Sequence, residues 1–203
     1  MTPYNSKRRG HTATFIDNKL YILGGSENGD AGKAFFYIDF SVPFNTQNLI
    51  VKDLSNINTV PEHTFATSVK GGANNNTLFL YGGFGPTSMD LVYIYDTIAD
   101  NWKIRTTSGT IPSGRTGFTA VLGLDGQRVI IYGGYRDGKP VDSSLYELNL
   151  INYEWRIPKT SGKTPASRAL HRANVIRKYM VISFGKYTYE PPFKLTDMNL
   201  TKI

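Results

Sequence analysis

The stretch RVIIYGGYRDG, residues 128–138, ends a strand-like apolar run on a pair of glycines. Related stretches are KLYILGGSENG at residues 19–29 and TLFLYGGFGPT at residues 77–87. A fourth, YMVISFGKY at residues 179–187, has Phe184 in place of the first glycine. The second glycines are separated by 58, 51 and 51 residues, at Gly25, Gly83, Gly134 and Gly185. Recurrence at this interval predicts that the chain repeats one structural unit.

The composition favours an all-β domain. Hydrophobic residues make up 40% and aromatic residues 13% of the 203 residues, with 20 Gly and 10 Pro. Each unit begins with a small-residue strand, continues with the apolar strand that ends on the glycines, and adds an aromatic strand and a strand that carries Trp. Four short strands per unit of about fifty residues are typical of a β-propeller blade. We expect blades near residues 11–54, 63–106 and 115–157, and an incomplete fourth near 168–201.

The glycine pairs have a structural explanation. The chain must turn sharply after the second strand, near the crowded propeller axis, and glycine permits a positive φ without a side chain that would clash. No helix is predicted after any pair, which argues against a phosphate-binding loop. We expect Trp102 and Trp155 to be buried at equivalent places between successive sheets.

The combined pattern resembles the kelch repeat, whose signature adds an Arg and a His before the first strand, and the resemblance covers nearly the whole chain. Arg8-x-x-His11 and Arg168-x-x-His171 match it, whereas the third unit keeps Arg115 but has Phe118 for the His. In the second unit we place Glu62 and Phe65 at these positions, which leaves His63 outside the repeat. The repeat residues with an expected structural role are Arg8, His11, Gly24, Gly25, Gly82, Gly83, Trp102, Arg115, Gly133, Gly134, Trp155, Arg168, His171 and Gly185.

The resemblance implies a kelch-type propeller that is only partly contained in this chain: three full four-stranded blades and an incomplete fourth. Kelch propellers usually have six or seven blades. The alternative is a small closed ring of four, in which the segment TPYNSK near the N-terminus supplies the missing outer strand. The long first unit is similar to fungal kelch proteins labelled galactose-oxidase-like, a label that describes a fold and not an activity.

No catalytic or metal-binding constellation is predicted. The chain has no Cys, so we exclude the copper radical chemistry of galactose oxidase, which needs a tyrosine crosslinked to cysteine. The three His have no carboxylate at ligand spacing, and no nucleophile elbow of the form G-x-S-x-G occurs. The sequence SGKT at residues 161–164 lacks the upstream glycine of a phosphate loop, and we interpret it as a connection between blades. We therefore expect no enzyme activity, no metal and no cofactor.

The charge and the termini say little about partner or compartment. The net charge is +7, but the positively charged residues are scattered along the chain. Nucleic acid is therefore a weaker candidate than a protein partner. No apolar run is long enough to span a membrane, and the sequence as given has no signal peptide. The sequence does not determine the cellular compartment. The cytoplasm is the default, and the location would be extracellular or membrane-anchored if the chain is a fragment of a longer precursor.

We expect the partner to bind the face formed by the loops after the second and fourth strands of each unit. Aromatic and Arg side chains on rigidly mounted loops suit protein recognition. A carbohydrate or small-molecule site, with Tyr and Phe stacked on sugar rings, is the alternative. The candidate residues in these loops are Glu27, Lys33, Phe84, Tyr135, Arg136, Lys139, Lys186 and Tyr187. Residues 106–113 and 158–167 are expected to be loops of the same face.

Overall fold

The computed structural model describes residues 7–45, 47–87, 90–160, 165–185 and 199–202. These residues form antiparallel sheets, one of which has a parallel edge strand, and they contain no α-helix, only one 3-10 turn at Ser55–Ile57. The first sheet, blade 1, consists of β1 (Thr12–Ile16), β2 (Lys19–Leu23), β3 (Phe35–Asp39) and β4 (Ile50–Asp53). Blade 2 consists of β5 (Thr67–Gly71), β6 (Thr77–Tyr81), β7 (Val92–Asp96) and β8 (Asn101–Arg105).

Blades 3 and 4 depart from this plan in opposite ways. Blade 3 has a fifth strand, and its members in sheet order are β10 (Thr119–Leu122), β11 (Arg128–Tyr132), β14 (Leu145–Asn149), β15 (Glu154–Arg156) and β9 (Ser108–Gly109). A separate ribbon follows β11 and pairs β12 (Tyr135–Arg136) with β13 (Lys139–Pro140). Blade 4 has three described strands, β16 (Arg172–Ile176), β17 (Tyr179–Ser183) and β18 (Asn199–Lys202).

Each blade buries one apolar face against the next. Tyr21 and Leu23 of blade 1 pack on Leu78 and Leu80 of blade 2, and Phe79 lies on the opposite side of the same strand, facing blade 3. Side chains of one strand alternate between faces, so an apolar run such as LFLY supplies both interfaces. The inner strands follow one another as β1, β5, β10 and β16. The chain is thus an open, partial kelch-type propeller, as predicted. The segment TPYNSK, which the closed four-blade alternative requires as an outer strand, lies outside the described residues except for Lys7.

The glycine pairs join neighbouring blades. Gly134 lies at φ +105° and donates its N–H to the carbonyl of Arg168, at 2.8 Å, in the segment that begins blade 4. A Cβ on Gly133, at φ +68°, would lie 2.2 Å from that same carbonyl. Gly83 donates to Arg115 O at 2.9 Å in the same manner. The positive φ is as predicted, and the group that excludes a side chain is the backbone of the next blade.

The second unit is aligned differently from our expectation. Gly25 donates to His63 O at 2.8 Å, which gives His63 the position held by Arg115 and Arg168 in later blades. The next residue, Thr64, pairs with Phe84, as Thr116 pairs with Tyr135. Placing Glu62 and Phe65 at the signature positions was therefore wrong, as was leaving His63 outside the repeat. The repeat is maintained by backbone hydrogen bonds, and these do not depend on the identity of the side chain.

The signature arginines brace the turn that the glycines make. Arg8 donates to Gly24 O at 2.9 Å, Arg115 to Gly133 O at 3.3 Å and Arg168 to Phe184 O at 3.0 Å. A guanidinium with several donors fits a tight turn whose carbonyls point inward. These bonds tie the start of blades 1, 3 and 4 to the end of the second strand of the same blade.

The tryptophans differ in burial. Trp155 is 1% exposed and packs on Tyr81, at a ring separation of 5.3 Å. Trp102 is only partly buried, although its ring lies 5.3 Å from Phe35 and 5.1 Å from Tyr95. Both rings pack into the hydrophobic clusters between sheets, as expected, but Trp155 is buried more deeply. The outer edge of blade 3 also differs, because β9 pairs there in parallel with β15. Residues 106–113 are consequently not a simple loop, because Ser108–Gly109 extends the next blade.

Replacing Gly133 by Ala should destabilise the fold more than replacing Gly138. Both have positive φ, +68° and +72°, but a Cβ on Gly138 would meet nothing within 4 Å. The backbone cost alone is about 1–2 kcal/mol, and the clash at Gly133 adds about 1–3 kcal/mol. Urea unfolding of the two variants measures the difference, and equal midpoints would contradict the proposed contact with Arg168.

Trp155→Ala should lower the free energy of unfolding by about 3–5 kcal/mol, because a large buried ring leaves a cavity. Trp102→Ala should cost clearly less, since that ring is only partly removed from water. Chemical denaturation of both variants tests the order. A larger loss of unfolding free energy for Trp102→Ala than for Trp155→Ala would show that the difference in burial between the two rings does not set their contributions to stability.

Stability should fall on mild acidification because of His171, which is 1% exposed and has Nε2 2.7 Å from Thr119 Oγ1 in blade 3. Burial, assisted by the charges of Arg168 and Arg172, lowers the pKa of His171 to about 4. The unfolded chain then binds the extra proton first, so stability is complete above about pH 6.5 and decreases as the pH falls towards 4.

We expect a loss of about 2 kcal/mol between about pH 7.5 and about pH 5 from this residue. Urea titrations at the two pH values measure it. His171→Gln should reduce the pH dependence, and His63, whose pKa burial also lowers, should supply part of the remainder. A His171→Gln variant with an unchanged pH profile would refute the assignment.

Candidate functional site

The antiparallel order of each blade separates its connections into two faces. Turns between the first and second strands meet turns between the third and fourth, as Thr97 N–H bonds Asn76 O at 3.0 Å and Leu150 N–H bonds Gln127 O at 2.8 Å. The loops that follow the second and fourth strands lie on the other side. We call this side the glycine face, because every glycine pair opens onto it.

A cleft of about 300 Å³ opens on the glycine face between blades 2 and 3. It is formed by the loop after β6, the segment before β10 and the ribbon after β11. The predicted residues Phe84, Tyr135 and Arg136 all line it. Residues from two blades, 51 positions apart along the chain at Phe84 and Tyr135, therefore share one site.

The ribbon holds Tyr135 and Arg136 in place. Asp137 and Gly138, at φ +51° and +72°, form the two-residue turn between β12 and β13, a conformation that suits the right-handed twist of a hairpin. The backbone of Tyr135 also exchanges two hydrogen bonds with Thr116, at 2.9 and 2.8 Å. The loop is thus fixed at its tip and at its base.

Phe84 is presented to solvent by the equivalent backbone pairing in blade 2. Its N–H and carbonyl each bond to Thr64, both at 2.8 Å. The side chain is nevertheless 65% exposed. A rigid backbone beneath an exposed aromatic ring is an arrangement typical of a binding surface, because little entropy is lost when the ring is covered.

Arg115 forms the floor of the cleft and is fully satisfied by the fold. Its guanidinium donates to Ser113 O at 3.0 Å, lies 3.5 Å from Asp142 and stacks over the ring of Tyr146 at 4.9 Å. Burial opposes ionisation of Asp142, but hydrogen bonds from Ser144 and the Arg115 charge outweigh it and lower the pKa of Asp142. This pair joins the buried Arg115 guanidinium to a carboxylate that is 43% exposed, and it supports the floor of the cleft.

The exposed charges at the cleft are mixed. Arg136 lies 3.8 Å from Asp137, and both side chains are more than half exposed. Such a surface pair contributes little to stability, so the guanidinium can exchange Asp137 for a ligand group at small cost. Asp90 is exposed and also lines the cleft. The site can therefore bind by aromatic contact and by charge-assisted hydrogen bonds.

The remaining candidates lie elsewhere. Glu27 forms a salt bridge with Arg8, which makes it a brace of the first loop. Lys33 is exposed in that loop, and Lys139 is exposed on β13 beside the cleft without lining it. Lys186 and Tyr187 lie outside the described residues.

Sequence reasoning missed the acidic residues of the site. Asp142 accepts the Ser144 N–H at 2.9 Å, as is usual for an Asp in a turn. Asp142 also contacts Arg115, while Asp90 and Asp137 border the cleft. A usable signal was that Asp90 and Asp142 both stand shortly before the third strand of their units.

No group of three or more His, Asp or Glu side chains is arranged among the described residues to hold a metal ion. No helix in the described part of the chain has the length and apolar character to cross a membrane.

Comparison with known proteins identifies relatives with kelch-type propellers. Kelch domain-containing protein 3 of Bos taurus is 24% identical over 198 residues, covering 92% of this chain and 50% of that protein. Host cell factor of Drosophila melanogaster is 26% identical over 112 residues, which are 53% of this chain and 7% of that protein. The Rho GTPase-activating protein gacHH of Dictyostelium discoideum is 33% identical over 119 residues, 55% of this chain and 8% of that protein.

The chain thus spans about half the length of the Kelch domain-containing protein 3 sequences that it matches. The galactose-oxidase-like part of the resemblance has no support among these relatives. The family described as the Attractin/LZTR1 β-propeller matches residues 1–191. Together with the glycine pairs and the blade-to-blade hydrogen bonds, this match shows that the chain belongs to the Attractin/LZTR1 family of kelch-type β-propellers.

Proposed function

We propose that this chain is a non-catalytic interaction module that binds a protein partner in the cleft between blades 2 and 3. The observation that carries the proposal is the convergence of Phe84, Tyr135 and Arg136 from two blades onto one cleft. Tyr and Arg are enriched among the residues that contribute most to protein–protein binding.

The mechanics of the cleft support a preformed site. Backbone pairs Thr64–Phe84 and Thr116–Tyr135 fix both walls, so a partner does not have to order these loops on binding. The cleft, at about 300 Å³, has room for one or two side chains of a partner. We expect an aromatic or aliphatic side chain of the partner to cover Phe84 and a carboxylate to meet Arg136.

The proteins to which this chain is similar are consistent with this proposal. The relatives include proteins named host cell factor and Kelch domain-containing protein 3, and neither name denotes a carbohydrate-binding protein. A glycan site would rest on the exposed aromatics alone, and no specific observation favours it. Nucleic acid is disfavoured at the cleft because Asp90 and Asp137 border it.

Alanine substitution in the cleft should weaken the partner without unfolding the propeller. The partner is first captured from a lysate of the source organism, identified and purified, and its affinity is measured by calorimetry. We expect Phe84→Ala, Tyr135→Ala and Arg136→Ala each to raise the Kd about tenfold or more, about 1.4 kcal/mol or more of binding free energy.

Matched controls lie on the opposite face. Leu124, 63% exposed in the turn before β11, is the control for Phe84, and exposed Lys70 is the control for Arg136. Leu124→Ala, Lys70→Ala and Asn74→Ala should leave the affinity unchanged. If the controls weaken binding while the cleft variants do not, the site lies on the opposite face and the proposal fails.

A further inference from the structure

We propose that the outer edge of blade 2 binds an extended segment of a partner protein, in the place that β9 occupies on blade 3. This edge belongs to β8, which comes last in the sheet order β5-β6-β7-β8 and has no neighbour on its other side among the described residues. The expected segment runs parallel to β8 and carries a small residue, a glycine and an acidic residue in succession. Strand β8 contributes no residue to the cleft, so the proposal does not rest on the function proposed there.

The pairing of β9 with β15 shows what such an edge accepts. Ser108 donates its N–H to Tyr153 O at 3.2 Å, and Thr110 donates to Trp155 O at 2.8 Å. The register of the parallel pair places Gly109 opposite Trp155. Both residues of β9 are exposed, so its attachment depends on main-chain groups. A segment of another protein can make the same bonds if its backbone follows the same course.

Strand β8 presents the same main-chain groups as β15. Trp102 lies opposite Tyr95 of β7. Trp155 lies opposite Leu148 of β14, and both members of this pair come 53 positions after those of the first. Asp100, directly before β8, has φ +49°, and the residue at the same place before β15 has φ +56°. Successive residues of an antiparallel strand direct their N–H and C=O groups alternately towards the partner strand and away from it. The shared register therefore directs the main-chain groups of Trp102 to the open edge, as those of Trp155 are directed to β9.

The connection that precedes blade 2 does not supply a strand of this kind, and one residue explains why. Residues 54–62 lead from β4 to blade 2, and residues 106–114 lead from β8 to blade 3, so both connections have nine residues. The fourth residue is Ile57 in the first connection and Gly109 in the second. Gly109 has φ +78°, and a Cβ on it would lie 2.2 Å from Trp155 O. Because a β-branched residue is strained at positive φ, Ile57 prevents the first connection from pairing as β9 does.

The first connection is bonded to blade 1 instead. It forms the 3-10 turn Ser55–Ile57, and the side-chain amide of Asn58 donates to Lys33 O at 2.9 Å. The hydroxyl of Ser55 accepts the N–H of Phe35 at 3.1 Å. With these groups committed to blade 1, the outer edge of β8 stays open in the part of the chain that the structure describes.

Strand β8 also lacks two common protections of an exposed edge, which are a proline and a bulge. Its five residues contain no Pro and pair with five consecutive residues of β7. Ile104 in this strand is 56% exposed. The edge can therefore take up a further strand, with affinity supplied by main-chain hydrogen bonds and specificity by the neighbouring side chains.

The side chains of β8 favour an acidic segment. Residues 101–105, NWKIR, include two cations and no carboxylate. The ammonium of Lys103 approaches Asp96 only to 4.0 Å, and its side chain is 47% exposed. In a parallel segment whose glycine lies opposite Trp102, the next residue lies beside Lys103, where a carboxylate complements the charge. A second copy of this chain is disfavoured as the occupant, because pairing of two β8 edges would bring like charges together.

Titration of the isotope-labelled chain with synthetic peptides, followed by two-dimensional NMR, tests the proposal. The probe is the octapeptide of residues 106–113 carrying Thr110→Asp. We expect saturable binding, with the largest amide shift changes in β8. Methylation of the peptide nitrogen of that Asp removes the donor to Trp102 O, and Gly109→Ile in the peptide adds a clashing Cβ. Each change should raise the Kd at least about tenfold.

A charge reversal in the protein tests the acidic preference. Lys103→Glu should weaken the acidic peptide about threefold or more and favour a peptide carrying Thr110→Lys. Lys70→Glu makes the same charge change on β5, away from the edge, and should leave both affinities unchanged. Phe84→Ala should also have no effect, which separates this site from the cleft.

Three results would each overturn the proposal. These are an acidic peptide that does not bind to saturation, an N-methylated peptide that binds equally well, and shift changes centred on β15 or on the cleft instead of β8. Because the peptide variants leave the protein unchanged, they test the edge even if a protein variant fails to fold.

Discussion

The close approach of each glycine pair to the backbone of the next blade is the constraint on which this structure depends. Gly134 donates to Arg168 O at 2.8 Å, and Gly133 has no room for even a methyl group. The bond fixes the distance between neighbouring sheets at the glycine face. Apolar residues such as Tyr81 and Trp155 then fill the wedge that this distance leaves. The interior is packed so densely that one added carbon there would disturb the packing throughout the interface.

The same constraint creates the candidate site. The residue after each glycine pair is held by backbone bonds to the segment that precedes its own inner strand, as in Thr64–Phe84 and Thr116–Tyr135. Its side chain therefore points out of a rigid support, and neighbouring blades bring two such side chains to one cleft. This geometry presents aromatic and cationic surface for contact with a partner.

Departures from the repeat occur at the edges of the blades. Blade 3 receives β9 from the preceding connection, and this parallel strand pairs with β15 at Trp155. Blade 2 receives no such strand among the described residues, so Trp102 stays partly open. An unpaired edge or face is a liability that a protein manages by covering it.

The sequence by itself determined the all-β class, the propeller architecture and the glycine turns, because these follow from local periodicity and from backbone conformations that favour glycine. It also identified the loops that carry Phe84, Tyr135 and Arg136. Only the tertiary structure decided that His63 takes the place of an arginine, that Ser108–Gly109 joins the following blade and that Asp90 borders the cleft. The position of Asp90 depends on how the loop after β6 lies against the next blade. The other two depend on backbone groups meeting between blades, and a hydrogen bond between main-chain atoms leaves no trace in the identity of the side chains.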